Sequence, residues 1–319
     1  MRQPRCRLCG GRVARLEKDN ALLFYPSQYE GEVTSRNIFY TGATPPQQAI
    51  PAVNFLRAQG INRFFLVGTD YIYPRTTNAV LKGYLASQGI TRCPERYAGA
   101  WPIGLARSGR GHRRFAKGGN GGSKTAVIAT VSGDANVHFF RELANRDVTA
   151  AEIPVMSRRS PKLSCRLCCP PTSLDISWRG IICTPSIPRR TAPSSPTGGA
   201  FTGGPDAVTN DPMEATWIGF HLWVAAVEAA GTTDVDKVRA ALGGRRFTAP
   251  SGFSVLMDGK TNHLFKPVMI GRIGDDGRIL PVSVTEGLVP PEPWSPWLNA
   301  SWLNASRLGA SRLPHAAAG

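Results

Sequence analysis

The chain has 319 residues, enough for one large or two medium domains, and it carries a formal net charge of +16. Such a charge ordinarily indicates a nucleic-acid or membrane-surface partner. Here that class is not favoured, because the excess charge is confined to residues 1–16, 92–123 and 158–200. The rest of the chain is close to neutral, and no run of 18 apolar residues predicts a transmembrane helix.

The three basic segments also contain all seven cysteines. They lack helical or strand periodicity and are rich in Arg, Pro, Ser and Gly. Their sharp edges against well-patterned sequence indicate wrong-frame translation of a GC-rich gene; the alternative is a set of disordered basic insertions. The first segment, interpreted on the same grounds as an aberrant N-terminus, has no apolar stretch, so no export signal is visible in it.

Between the first two basic segments, strands and helices are predicted in alternation. The apolar patterns predict strands over 20–26, 36–42 and 62–68 and helices over 45–60 and 74–89. The strand over 62–68 is apolar on both faces, which is typical of a parallel sheet. This order therefore predicts the β-α-β-α unit of a doubly wound sheet.

The pattern resumes after residue 123. Strands are predicted over 124–133 and 153–156, helices over 134–147, 210–231 and 233–244, and three further strands within 252–285. The helix over 210–231 opens with Asp211, Pro212 and Glu214, which predicts a capping box with proline in the first turn. The α/β alternation thus ends in antiparallel structure.

Aromatic and hydroxyl side chains follow two of the predicted strands. FYPSQYEG contributes Tyr25 and Ser27, and VGTDYIYPR contributes Thr69, Tyr71 and Tyr73. Open α/β sheets bind ligands at the carboxyl ends of their strands. Flat rings with hydroxyls suit a small planar amide, whose C=O and NH₂ edges need fixed polar partners. The alternative is that these tyrosines only complete the core.

Several motifs in one order resemble the urea and short-chain amide solute-binding proteins of ABC transporters. These are LLFYPSQYEG, FFLVGTDYIYPR, TVSGDANVHFF, TNDPMEATWIG and NHLFKPVMIG. They are also similar to the related amide-sensing regulator of aliphatic amidase expression. The resemblance implies an α/β type I periplasmic-binding-protein fold, with two doubly wound lobes and a hinge that close on the ligand. It further implies an ABC-transporter membrane permease as partner, a periplasmic location and no cofactor.

The resemblance also carries over site residues. Tyr25, Tyr71 and Tyr73 match the tyrosines of the family, and Ser27 matches its small hydroxyl residue. Gln28 stands where the amide regulator has proline, which moves the chain toward the urea-transport branch. Asp134 is expected to be the selectivity residue, because a carboxylate can accept N–H bonds from both urea nitrogens. The alternative for Asp134 is a plain helix N-cap.

The resemblance divides the chain into segments, and it implies a fold that is incomplete here. The first β-α-β-α half-lobe of the family is absent or replaced by residues 1–16, and the expected second-lobe elements after Met156 are overwritten. The remaining segments are 17–91 as the rest of the first lobe, 124–157 as the start of the second lobe, 201–298 as second-lobe helices with the C-terminal strands and hinge, and 299–319 as a low-complexity tail.

Three other functions are weighed. A cytoplasmic amide sensor that regulates amidase expression is the nearest alternative to transport. The pairs Cys6/Cys9 and Cys165/Cys168 have the C-x-x-C format of a zinc site, but their separation is far from zinc-ribbon spacing. The basic run around His112 has no interleaved aromatic residues, so nucleic-acid binding is not favoured. No catalytic arrangement is evident, and an enzyme is not expected.

Overall fold

The computed structural model describes residues 11–98, 124–133, 135–145, 152–157, 182–183, 211–273, 279–299 and 301–303. Its helices are α1 (Gly11–Lys18), α2 (Pro45–Ala58), α3 (Ile72–Ser87), α4 (Ala135–Ala144), α5 (Asp211–Ala230) and α6 (Val235–Leu242). Its strands are β1 (Leu23–Tyr25), β2 (Ile38–Tyr40), β3 (Ile61–Thr69), β4 (Glu95–Ala98), β5 (Lys124–Thr130), β6 (Val155–Ser157), β7 (Ile182–Cys183), β8 (Arg246–Thr248), β9 (Ser254–Met257), β10 (Leu264–Phe265), β11 (Met269–Ile273) and β12 (Ile279–Val284).

The chain divides into two compact units, each assembled from separate stretches. Unit 1 takes the described residues within Met1–Gln47, Ser186–Pro267 and Thr285–Gly319. Unit 2 takes those within Gln48–Pro185 and Val268–Val284. The backbone therefore passes from one unit to the other four times.

Unit 2 is built on one sheet with the strand order β12-β11-β7-β6-β5-β3-β4. Strands β4, β3, β5, β6 and β7 run parallel, whereas β11 and β12 each pair antiparallel with their neighbours. Successive residues of β3, Phe64 to Val67, are all buried, as expected for a strand covered on both faces. Helix α4 packs Phe139, Phe140 and Leu143 against Val127 of the sheet.

Unit 1 combines two small sheets with helices α1, α5 and α6. Strands β1 and β2 are parallel, and β8, β9 and β10 form an antiparallel sheet. Helix α5 directs Ile218 and Leu222 into a core with Phe39 and Met257. The unit is also joined across its most distant segments. The Ser295 N–H donates to the Glu32 carboxylate at 2.8 Å, and the Gln47 side-chain amide donates to the Val289 carbonyl at 2.9 Å.

The alternation predicted from sequence is present, but its division into lobes was wrong. Residues 17–91 do not form one lobe, because β3 pairs with β5 from Ile61 to Gly68 and so joins the sheet that contains 124–157. Residues 201–298 are likewise not a second-lobe segment. Helices α5 and α6 pack in unit 1, and only Val268–Val284 of that stretch enters unit 2.

Two predicted segment boundaries also differ from the structure. Helix α1 begins at Gly11, inside the segment interpreted as an aberrant N-terminus. Strand β4 lies inside the second basic segment, where it pairs with the carboxyl half of β3, and Cys93 just before it is buried. A four-residue strand held by pairing leaves too short a pattern to recognise. Residues 99–123, and most of 1–16 and 158–200, lie outside the described residues.

Tertiary contacts replace the predicted capping box at the start of α5, and they also bury part of the predicted tail. Asp211 is the first helical residue, and its carboxylate pairs with Lys266 at 2.7 Å, so the predicted capping box is not formed. Glu214 instead accepts the Ser251 N–H at 3.0 Å. Leu303, in the predicted low-complexity tail, is buried in the fold. Among the described helices, none is both long and apolar enough to span a membrane.

Candidate functional site

The carboxyl ends of β3 and β5 bring three polar side chains together in unit 2. The Tyr71 hydroxyl lies 2.9 Å from Ser132 Oγ, and the Ser132 N–H donates to Thr69 Oγ1 at 2.9 Å. All three residues are half-buried, so each keeps part of its side chain accessible. These side chains lie close together because β3 and β5 are adjacent parallel strands, so both strands end at the same edge of the sheet. Tyr71 and Thr69 were predicted as site residues from sequence, whereas Ser132 was not.

Tyr73 stands behind Tyr71 in the first turn of α3. The two ring centroids are 6.4 Å apart with 25° between the ring planes, and Tyr73 is only 3 % exposed. The structure thus brings the two predicted tyrosines together. Of the two rings, that of Tyr71 keeps most of the accessible surface, because Tyr73 is buried.

A charged group adjoins this edge of the sheet at the end of β4. The Arg75 guanidinium lies 4.3 Å from the ring centroid of Tyr97, and its Nε donates to Asp70 at 2.6 Å. Burial, together with the neighbouring Glu95 carboxylate, raises the pKa of Tyr97 well above its ordinary value. Neither Arg75 nor Tyr97 was predicted from sequence. Tyr97 lies in the segment interpreted as aberrant, and the contact of Arg75 depends on Tyr97.

Gly68 allows the backbone to come close at this edge. A Cβ at Gly68 would lie 2.7 Å from Pro74 Cβ and 2.8 Å from Thr130 Oγ1. Both distances are shorter than side chains tolerate. The glycine therefore permits the first turn of α3 and strand β5 to approach the end of β3, which places Tyr71 beside Ser132.

Unit 1 presents the other predicted residues after β1. Tyr25 ends β1 and is half-buried, Ser27 is exposed and Gln28 is half-buried. The Tyr25 carbonyl accepts the N–H groups of Thr41 and Gly42 at 3.0 and 3.1 Å, so the backbone of Tyr25 is fixed by the segment that follows β2. A Cβ at Gly42 would overlap the carbonyl of Ser27. These contacts fix the turn that carries Ser27.

Tyr25 belongs to an aromatic cluster, whose other members are Tyr29, Tyr40 and His263. Tyr29, Tyr40 and His263 are at most 2 % exposed. Burial lowers the pKa of His263 to about 4, so its imidazole is neutral at pH 7. The sequence analysis assigned no role to His263. The missed signal was the NHLF motif, whose partner Tyr29 is 234 residues away.

Asp134 lies outside the described residues, and so do the pairs Cys6/Cys9 and Cys165/Cys168. Gly133, the residue before Asp134, has a φ of 64°. Across the described part of the chain, no group of three or more His, Cys, Asp or Glu side chains is arranged to hold a metal ion.

Comparison with known proteins agrees with this architecture. A family model described as a periplasmic binding protein domain matches residues 13–161 and 199–300. The fold is similar to an ABC transporter substrate-binding protein from Sphaerobacter thermophilus, with a TM-score of 0.70, 14 % identity, and coverage of 88 % of this chain and 77 % of that one.

Two further solved structures share the fold. A Rhodopseudomonas palustris solute binding protein in complex with 4-hydroxybenzoate gives a TM-score of 0.69 at 17 % identity, covering 89 % of this chain and 76 % of that chain. A leucine binding protein from Thermotoga maritima gives 0.66 at 11 % identity, covering 85 % and 75 %.

Proposed function

This chain belongs to the periplasmic binding protein domain family, and on that premise we propose that it is the solute-binding component of an ABC transporter. Its ligand is urea or a short-chain amide, its partner is the membrane permease of that transporter, and its location is the periplasm. The choice of ligand rests on the resemblance of its tyrosine-containing motifs to urea- and amide-binding proteins. It rests equally on the chemistry of the residues at the strand ends.

The observation that carries the proposal is the contact between the Tyr71 and Ser132 hydroxyls, 2.9 Å apart. Both groups are neutral, and each can donate or accept a hydrogen bond. A neutral amide needs such groups, because a lone charge facing it would be left without a counterion. The Tyr71 ring adds a flat apolar face on which a planar molecule can lie.

The remaining predicted residues complete the proposed contacts. Tyr25 would offer an aromatic face, and Ser27 and Gln28 would offer polar groups, to an amide ligand. In unit 2, Tyr73 would support Tyr71. Asp134 would select urea over acetamide, because only urea presents an N–H from each of two nitrogens to one carboxylate.

Titration calorimetry with urea, acetamide and 4-hydroxybenzoate tests the proposal. Tyr71→Phe removes only the hydroxyl and should weaken amide binding about two- to tenfold, whereas Tyr25→Ala should cost about 1–3 kcal/mol. The matched control is Tyr84→Phe, which deletes a hydroxyl that bonds to Asn54 within unit 2. Asp134→Ala should weaken urea more than acetamide. Unchanged affinity in both tyrosine variants would refute their assignment as contacts.

A small carboxylic acid is the second candidate ligand. The observation that favours it is the Arg75 guanidinium at the end of β4, because arginine is the usual partner of a carboxylate. The bond from Arg75 to Asp70 already offsets its charge, so the neutral amide is preferred. Binding of 4-hydroxybenzoate without urea or acetamide, abolished by Arg75→Met, would replace the amide by an acid.

A further inference from the structure

Three residues of the aromatic cluster occupy neighbouring positions on three chain segments of unit 1. Tyr25 pairs with Tyr40 in the parallel register of β1 and β2. Tyr40 forms a parallel bridge with His263, and its N–H donates to the Asn262 carbonyl at 2.7 Å. Directly paired positions place their side chains next to each other on one face. The backbone therefore sets Tyr25, Tyr40 and His263 in a row.

The rings of the cluster stack in a defined order. Tyr40 and His263 have centroids 4.1 Å apart and planes 8° apart, and Tyr29 lies 4.9 Å from Tyr40 at 20°. Tyr25 meets this stack edge-on, at 6.0 Å and 81° to Tyr29 and at 6.4 Å and 63° to Tyr40. Edge-to-face packing on two rings restricts the tilt of the Tyr25 ring.

Hydrogen bonds at the two ring nitrogens of His263 also hold the stack in place. His263 Nδ1 lies 2.6 Å from the Thr261 carbonyl, and a carbonyl only accepts, so Nδ1 carries the proton. In the neutral imidazole Nε2 is then an acceptor, and it receives the Tyr29 hydroxyl. His263 thus holds Tyr29 as well as stacking on Tyr40, and both of those rings contact Tyr25.

We propose that Tyr29, Tyr40 and His263 are positioning residues that hold the Tyr25 ring in its ligand-binding orientation. The inference rests on the proposed role of Tyr25 as a ligand contact. None of the three needs to touch the ligand, because all are buried. Their effect on affinity passes through the orientation of Tyr25.

The first measurement does not depend on a ligand. The chain contains seven tyrosines, and fluorotyrosine labelling with Tyr25→Phe as the assignment variant identifies the ¹⁹F resonance of Tyr25. His263→Ala and Tyr29→Phe should each shift that resonance, because the rings that face it move. His263→Phe keeps a ring in the stack and should restore most of the His263→Ala shift. The Tyr84 resonance, from unit 2, is the internal control.

The second measurement is the affinity of the same variants for urea and acetamide. His263→Ala should weaken binding about two- to tenfold, and His263→Phe less. A purely structural role would lower the melting temperature of His263→Ala but move neither the Tyr25 resonance nor the affinity of the folded protein, and that result would overturn the inference. If His263→Ala does not fold, Tyr29→Phe decides the question by the same two readouts. A wild-type protein that binds no amide while the Tyr25 resonance still shifts would overturn the proposed function and support the positioning.

Discussion

The buried imidazole of His263 makes the stability of the protein depend on pH in the mildly acidic range. Burial lowers its pKa from 6.5 to about 4, although the bond to the Thr261 carbonyl and the nearby Asp258 carboxylate act in the opposite sense. Above pH 6.5 the imidazole is neutral in the folded and the unfolded chain. As the pH falls from 6.5 toward 4, only the unfolded chain takes up the proton, so acid favours unfolding.

The size of the effect follows from the two pKa values. Each pH unit between them lowers the free energy of unfolding by about 1.4 kcal/mol, and the full interval lowers it by about 3 kcal/mol. Guanidinium unfolding of the wild type and of His263→Phe, followed by tryptophan fluorescence at pH 7, 6 and 5, measures this directly. Other titrating groups contribute equally to both proteins, so the difference between the two slopes isolates His263.

We expect His263→Phe to be less stable than the wild type at pH 7, because the bonds to Tyr29 and Thr261 are lost, but to lose less stability on acidification. The same substitution at the half-buried His221, whose ring stacks on Phe247, is the matched control for loss of an imidazole. Equal pH dependence in the wild type and His263→Phe would show that burial does not lower the pKa of His263, and the reasoning would fail.

Two further predictions concern Gly68 and the basic segments. Gly68→Ala should lower the free energy of unfolding by about 1–3 kcal/mol through overpacking against Pro74 and Thr130, whereas Gly219→Ala, whose Cβ would meet its nearest atom at 3.5 Å, should be neutral or stabilising in thermal unfolding. Translation of the gene in its other two frames across 1–16, 92–123 and 158–200 should give near-neutral, cysteine-poor sequence with α/β periodicity; stop codons or irregular sequence in both frames would contradict the frame-shift interpretation.

The sequence predicted the elements better than their arrangement. Apolar runs identified β3 as a buried parallel strand and β5 as a strand, but nothing local states that β3 pairs with β5 and not with β2. The assignment of 17–91 to one lobe failed for that reason. At the site, Tyr71 and Thr69 could be predicted because they follow a recognisable strand. His263 could not, because its role comes from Tyr29 and Tyr40, which lie far from it in sequence.

End signals show the same limit. Asp211, Pro212 and Glu214 have the spacing of a capping box, and the helix does begin there. The Asp211 carboxylate nevertheless pairs with Lys266, and the Glu214 carboxylate accepts the Ser251 N–H; both partners belong to the antiparallel segment of unit 1. A short motif specifies where a helix can start. It does not specify which donor the carboxylates of that motif bind when a donor distant in sequence is also close in space.

The bond between the Ser295 N–H and the Glu32 carboxylate has a consequence for how the chain is made. The two residues are 263 positions apart, so unit 1 can complete its fold only after Ser295 has been synthesised. At about 5–20 residues per second, Glu32 precedes Ser295 out of the ribosome by roughly 13–53 s. During that interval the apolar strand ends around Tyr25 and Tyr40 are exposed on a nascent chain. A holding chaperone, or rapid closure of the sheet of unit 2, would then decide how much of the protein reaches its folded state.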